Sequence, residues 1–289
     1  MVGLRNDRYR RSHCKEVIPM YRSSLGALLL APAFCSIAFA QTTTPQFTLV
    51  DLGPTTVAGS GLPWQPFQPT PAPANWPSTG GSACYGISTN EIFTEYGSEA
   101  VGSTCTTTPA SHAAMWTWAT SSVALTDLGV LPGALGGPNG GPSSEAYAFN
   151  NVGDIVGGSD SKYPAYNTGF QIAHHAFLYN NGVMTDLGAI AGPNYYSGAS
   201  SVNDSHEIVG GTNTISSVDG SVLSRAFLYT NGTMYNLTFY LVGGPTALLT
   251  DALWIDCQGN IAAVGTPASG GNTHAYLLVR QGTARNCPN

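Results

Sequence analysis

Charge is what this sequence has least of. Only 9% of its 289 residues are Asp, Glu, Lys or Arg. Six of the ten Lys and Arg (Arg5, Arg8, Arg10, Arg11, Lys15 and Arg22) precede residue 40, which leaves four against fourteen acids thereafter. A chain with so few cations has no basic stripe to neutralise phosphates, which excludes nucleic acid as a partner. Long apolar runs are also missing, except LGALLLAPAFCSIAFA at 25–40, which is too short for a membrane span and is broken by Pro32. A basic start, this run and Ala38-Phe39-Ala40 together read as a signal peptide, residues 1–40, with Met1 or Met20 as the true start. The expected mature chain is one domain, 41–289, secreted to the periplasm or beyond and without a membrane span. The sequence has no G-x-S-x-G elbow, H-E-x-x-H, Walker loop or calcium-loop pattern, so neither a cofactor nor a metal is expected.

Glycine (35) and proline (19) are plentiful, which favours many short strands and turns. The strands repeat. Val-Gly recurs at 101, 156, 209 and 264, spaced 55, 53 and 55 residues apart, inside units with a constant order of four strands. The first unit reads SACYGIST, SEAVGST, HAAMWTW, ALTDLG; the second EAYAFNN, DIVGGS, HAFLYN, VMTDLG; the third SGASSVN, EIVGGT, RAFLYT, TMYNLT. The fourth has DALWID, NIAAVG and THAYLLVR but no last strand, while QFTLVDLG (46–53) is a last strand with nothing before it. The expected fold is therefore all-β and β-propeller-like, with four blades of four antiparallel strands. Strand 46–53 should pair with 274–280 and close the ring, removing exposed edges. Asn181-Gly182 and Asn231-Gly232 are type I′ hairpin turns by composition. The even set of mature cysteines, placed on matching faces by strand direction, is expected to form Cys84–Cys105 and Cys257–Cys287.

The pattern H-A-F-L-Y, D-L-G, then I-N-x-x-G-x-I-V-G resembles the HAF repeat of secreted bacterial proteins. Its best copies here are His175 to Gly188 and NNVGDIVGGS at Asn150 to Ser159. The third copy departs with Arg225 for His and Asn236-Leu237-Thr238 for Asp-Leu-Gly, and the fourth with Tyr276 for Phe. The resemblance implies export and a repeat fold, and it carries over no catalytic residue, because the family has no established activity.

His112, His175 and His274 share one repeat position, and Asp51, Asp127 and Asp186 another. A residue present in every unit answers an architectural need more readily than a catalytic one. His174 and His206 stand outside that set, and adjacent His174 and His175 point to opposite sides of a strand, which argues against a shared zinc. Ser159-Asp160-Ser161 and Val218-Asp219-Gly220 read as solvated turns, and the sequons at Asn203, Asn231 and Asn236 carry no weight if the source is bacterial.

Loop lengths differ by face. The long connections gather on one face, which makes it the candidate binding surface. They include the Pro-rich loop 54–81 with Trp64, Phe67 and Trp76, the stretch with Tyr163, Tyr166 and Phe170, and the pair Tyr195-Tyr196. Aromatic rings on stiff loops suit a glycan or protein ligand. The main expectation is a monomeric binding module. One alternative is a carbohydrate-active hydrolase or lyase using Glu145, Asp160 and Asp219, and another is a structural unit of an extracellular assembly.

Overall fold

The structure, a computed structural model, describes residues 44–55, 87–94, 97–105, 110–119, 122–136, 140–166, 172–283, 285 and 287. All belong to one compact unit, Thr43–Asn289. The expected signal peptide lies outside the described residues, as do most of the Pro-rich loop, Cys84 and Phe170.

Among the described residues the fold is all-β apart from a short 3-10 turn, Leu237–Tyr240. β1 (Phe47–Pro54) is followed by β2 (Ile87–Thr94), β3 (Gly97–Cys105), β4 (Ser111–Ala119) and β5 (Ser122–Gly129), which make the first sheet. The second sheet is β6 (Ser144–Phe149), β7 (Ile155–Pro164), β8 (Ile172–Asn180) and β9 (Val183–Gly188). The third is β10 (Ser197–Val202), β11 (Ile208–Ile215), β12 (Val222–Thr230) and β13 (Thr233–Asn236). The fourth runs β1-β16-β15-β14, with β14 (Ala247–Ile255), β15 (Ile261–Pro267) and β16 (His274–Arg280). The first and last described strands thus share a sheet: β1 pairs antiparallel with β16, Leu49 opposite Leu278.

Local chemistry fixes the hairpins. Asn181 (φ 49°), Gly182 (φ 81°), Asn231 (φ 51°) and Gly232 (φ 77°) hold the left-handed conformations that a two-residue turn between twisted strands demands. Gly157 and Gly210 lie under bulges in the neighbouring innermost strand, and a Cβ there would stand 2.0 Å from the carbonyl oxygens of Glu145 and Gly198.

Two expected boundaries change. The first strand of the first unit, expected over 82–89, runs on to Thr94, because the hairpin continues past a register shift to pair Thr94 with Gly97, and its expected start at 82–86 lies outside the described residues. In the fourth unit Val264-Gly265 is not the counterpart of Val156-Gly157. Trp254 faces Ala262 as Ala148 faces Val156 and Ser201 faces Val209, so the counterpart is Ala262-Ala263, and the true spacing is 53. Gly265 still sits beneath a bulge, 2.4 Å (as a Cβ) from the Leu248 carbonyl, so the glycine kept its local role while shifting two positions.

Apolar cores lie between the sheets. Val101, Ala113 and Leu128 meet Ala146, Phe149, Ile155, Phe177 and Met184 at the first seam. Ala148, Val156 and Ala176 meet Ala199, Val202, Ile208 and Phe227 at the second. Val209, Ala226, Leu228 and Leu237 meet Leu249, Ala252, Ile255, Ile261 and Tyr276 at the third. Burying each large side chain contributes roughly 1.5–3 kcal/mol, so the seams carry much of the stability.

Polar ties repeat with the same period. Asn150 receives the N–H groups of Val152 and Asp154 on Oδ1 while its Nδ2 donates to the Asn203 carbonyl at 2.9 Å. Asn203 does the same in the next turn, and its Nδ2 donates to the Asp256 carbonyl at 3.0 Å. Ser144 and Ser197, both buried, each link two strands of the preceding sheet: Ser197 Oγ accepts from Ala176 N–H and donates to the Gly188 carbonyl. Cys257 and Cys287 form the expected disulfide, Cα–Cα 5.6 Å, which ties the tail to the Asp256–Asn260 turn.

Candidate functional site: the long-loop face

The recurring histidines and aspartates meet as pairs. His112 Nδ1 lies 3.1 Å from Asp127, His175 Nδ1 2.8 Å from Asp186 and His274 Nδ1 2.8 Å from Asp51. Each aspartate also accepts the N–H of the glycine two residues on, Gly129, Gly188 or Gly53, whose φ is positive. The D-L-G motif is therefore an Asx turn that ends the outer strand, held by a histidine of the adjacent strand. In the third unit Asn236 keeps the turn by accepting from Thr238 N–H, and Arg225 donates to the Ser224 carbonyl instead. These carboxylates and imidazoles are committed to strand ends, as the repetition implied.

His175 goes further than its counterparts. It is fully buried, and Nε2 contacts the Pro193 carbonyl at 3.0 Å. Both ring nitrogens of His175 are thus engaged, one by a carboxylate and the other by a backbone carbonyl. This anchors the 189–196 connection. On that connection the Asn194 carbonyl accepts from Tyr166 N–H at 2.7 Å, and Asn194 Nδ2 donates to the Pro164 carbonyl at 2.7 Å. Asn213 ties the other end, its Oδ1 accepting from Tyr196 N–H and its N–H donating to the Tyr196 carbonyl.

The loop after β7 and the connection after β9 are thereby fixed side by side, and their rings stack. Tyr166 and Tyr195 are 4.9 Å apart between centroids at 24°. Tyr166 is half exposed, and Tyr196, next to Tyr195 in the chain, is exposed as well. The Tyr195 hydroxyl is held above the usual tyrosine range by burial first and by neighbouring Tyr166 second. Tyr163 does not join them. Its ring turns inward toward His175, 6.0 Å away, under the ammonium of Lys162. Trp64, Phe67, Trp76 and Phe170 lie outside the described residues. The anchoring residues Pro193 and Asn194 of the 189–196 connection and Asn213 of β11 escape a sequence reading because no spacing or motif distinguishes them.

The acids of the enzyme alternative do not all converge. Glu145 and Asp160 lie on one face of the second sheet, Glu145 opposite Gly158 and Asp160 opposite His174. Burial raises the Glu145 carboxyl despite the bond from the Tyr147 hydroxyl at 3.1 Å. The His174 ring lies against Gly158 between these acids, and burial holds its pKa down. Asp219 sits in the 216–221 loop of the third sheet, bound by the Ser216 hydroxyl and by Ser221, which lower it to about 2. Among the described residues no group of three His, Cys, Asp or Glu is placed to hold a metal, and no helix is long and apolar enough to cross a membrane.

No protein-family profile matches the chain, and no curated protein matches it. Among solved structures, it is similar to the crystal structure of an α-L-arabinofuranosidase from Podospora anserina in complex with cellotriose. That likeness covers 83% of this chain and 98% of the other at 10% identity, with a TM-score of 0.26. At that distance it says nothing about what this chain does.

Proposed function

We propose that this is an exported binding protein of the HAF-repeat type that takes a glycan or protein ligand on its long-loop face. Its four sheets act as the blades of a propeller-like ring, residues 1–40 are its signal peptide, Cys84–Cys105 is a second disulfide, and the working form is a monomer. The stacked Tyr166–Tyr195 pair with Tyr196 carries the functional reading. Rings held by backbone bonds lose little entropy when a flat ligand surface lands on them. The pairing of β1 with β16 supports the ring, since it uses both chain ends to complete one blade. The repeat His–Asp pairs, spent on turns, leave the unrepeated loops as the variable part.

Glycan arrays followed by calorimetry on the best ligand test this reading. Tyr166→Ala and Tyr195→Ala should each weaken binding about tenfold or more, as expected for an aromatic anchor. A double variant that folds and binds as tightly as the parent would overturn it.

A further inference from the structure

The second and third sheets are built on one pattern, so each serves as a control for the other. On the second, Glu145 faces Gly158 across the two inner strands, and the His174 ring covers Gly158, where a Cβ would stand 2.5 Å from Cε1. One repeat on, Gly198 faces Gly211, and Ser224 opposite Asn213 takes the place of His174 opposite Asp160. Two large side chains are therefore missing from the face that the third sheet turns to the fourth. Among the described residues, a Cβ on Gly198 would meet nothing within 4 Å. What comes to Gly211 instead is Asp251 of β14, whose Oδ1 lies 3.0 Å from the place of a Cβ there.

Buried carboxylates elsewhere find their donors inside the chain. Asp154 is held by Asn150, Asn180 and His206, and Glu207 by Arg280 and Arg285. Asp251 Oδ1 is buried with no hydrogen-bond partner, and among the described residues no cation pairs with the carboxyl, so burial disfavours its charge. An acceptor left in that state carries a desolvation cost that a donor from outside the chain can offset. A ligand hydroxyl would satisfy the oxygen and leave the charge unbalanced, whereas an ammonium or guanidinium answers both. Asp251 keeps partial exposure, so the carboxylate can be approached from the side where Glu145 and His174 have no counterpart. We infer that the recess between Gly198 and Asp251, at the seam of the third and fourth sheets, binds a small organic cation, an ammonium or guanidinium group of side-chain size.

This site goes beyond the tyrosine pair and does not rest on it, so either reading can fail while the other stands. Two-dimensional NMR of the isotope-labelled full chain, titrated at neutral pH with n-butylammonium, methylguanidinium or glucosamine, tests it. Saturable shifts of the Gly198, Gly211 and Asp251 amides are expected from at least one of the three, and the tightest of them separates a lysine-like, an arginine-like and an amino-sugar source. n-Butanol, and sodium chloride at equal ionic strength, should produce none. Asp251→Asn should weaken binding about tenfold or more by removing the charge. Gly198→Leu should block it by filling the recess while leaving the carboxylate in place. Absence of saturable shifts with all three cations, equal shifts with n-butanol, or undiminished binding in either variant would overturn the assignment. If a variant does not fold, the contrast between n-butylammonium and n-butanol on the parent chain decides.

Discussion

His175 Nδ1 meets the Asp186 carboxylate at 2.8 Å while Nε2 meets the Pro193 carbonyl at 3.0 Å, so one buried ring closes a strand end and anchors a loop. His112 and His274 make the first contact only, in partly exposed pairs. His175→Ala should therefore cost more stability than His112→Ala or His274→Ala. Unpairing a buried hydrogen-bonded group costs roughly 1–3 kcal/mol, and the two exposed pairs about 1 kcal/mol or less. Urea denaturation of the three variants gives the ranking, and equal losses would mean that the Pro193 contact contributes nothing.

Asp251 is partly buried, with Oδ1 buried and unpartnered against Gly211 and a carboxyl that burial raises to about 6, against an opposing bond from Ala252 N–H. The folded state binds this proton more tightly than the unfolded state does. Its stabilising effect is full below the unfolded value of 3.8 and is lost as pH rises toward and through about 6. Asp251→Asn should then stabilise the protein at pH 8 by about 3 kcal/mol or less and flatten the melting temperature between pH 4 and 7. Thermal melts across that range check both halves.

Glu207 is buried in the third sheet's turn and takes Arg280 at 2.7 Å and both terminal nitrogens of Arg285. Burial opposes its ionisation, but bonds from Arg285 and Asn203 and the charges of Arg280 and Arg285 hold the carboxyl below its usual range. This contribution is present above the ordinary carboxylate range and lost as pH falls through the lowered folded value. Glu207→Gln should destabilise by about 3 kcal/mol or more, because it leaves two guanidinium groups without their counter-charge. Differential scanning calorimetry at pH 7 reads it.

Cys257–Cys287 closes 30 residues and holds Arg285 within reach of Glu207, with Gln258 bonded to the Arg285 backbone on both sides. Reduction should cost about 2–4 kcal/mol. After reduction, Glu207→Gln should cost less than in the oxidised protein, since the tail no longer keeps Arg285 in place. A double-mutant cycle with Cys257→Ser and Cys287→Ser measures that coupling, and additive losses would show the two ties to be independent.

Periodic chemistry was readable along the chain. Asn-Gly turns, alternating apolar strands and the orphan strand before Gly53 are local or repeated signals, and the structure pairs that strand with β16 as they require. The fourth unit misled because Val-Gly marks a bulge, and a bulge can slide two positions along a strand without disturbing the sheet. Loop aromatics were visible, but not their partners. Tyr163 and Tyr166 stand three residues apart and look alike in sequence, yet one ring turns in toward His175 and the other stacks on Tyr195.

By itself, then, the sequence determined the strand units, the hairpin turns, the structural employment of the repeat histidines and aspartates, and the Cys257–Cys287 bond, because these depend on residues within one period or on strand direction. Only the tertiary structure decided which face of each sheet is covered, which histidine is buried, and which tyrosines meet. Those properties arise where loops and sheets of different units come together, and no spacing along the chain encodes the distance across a seam.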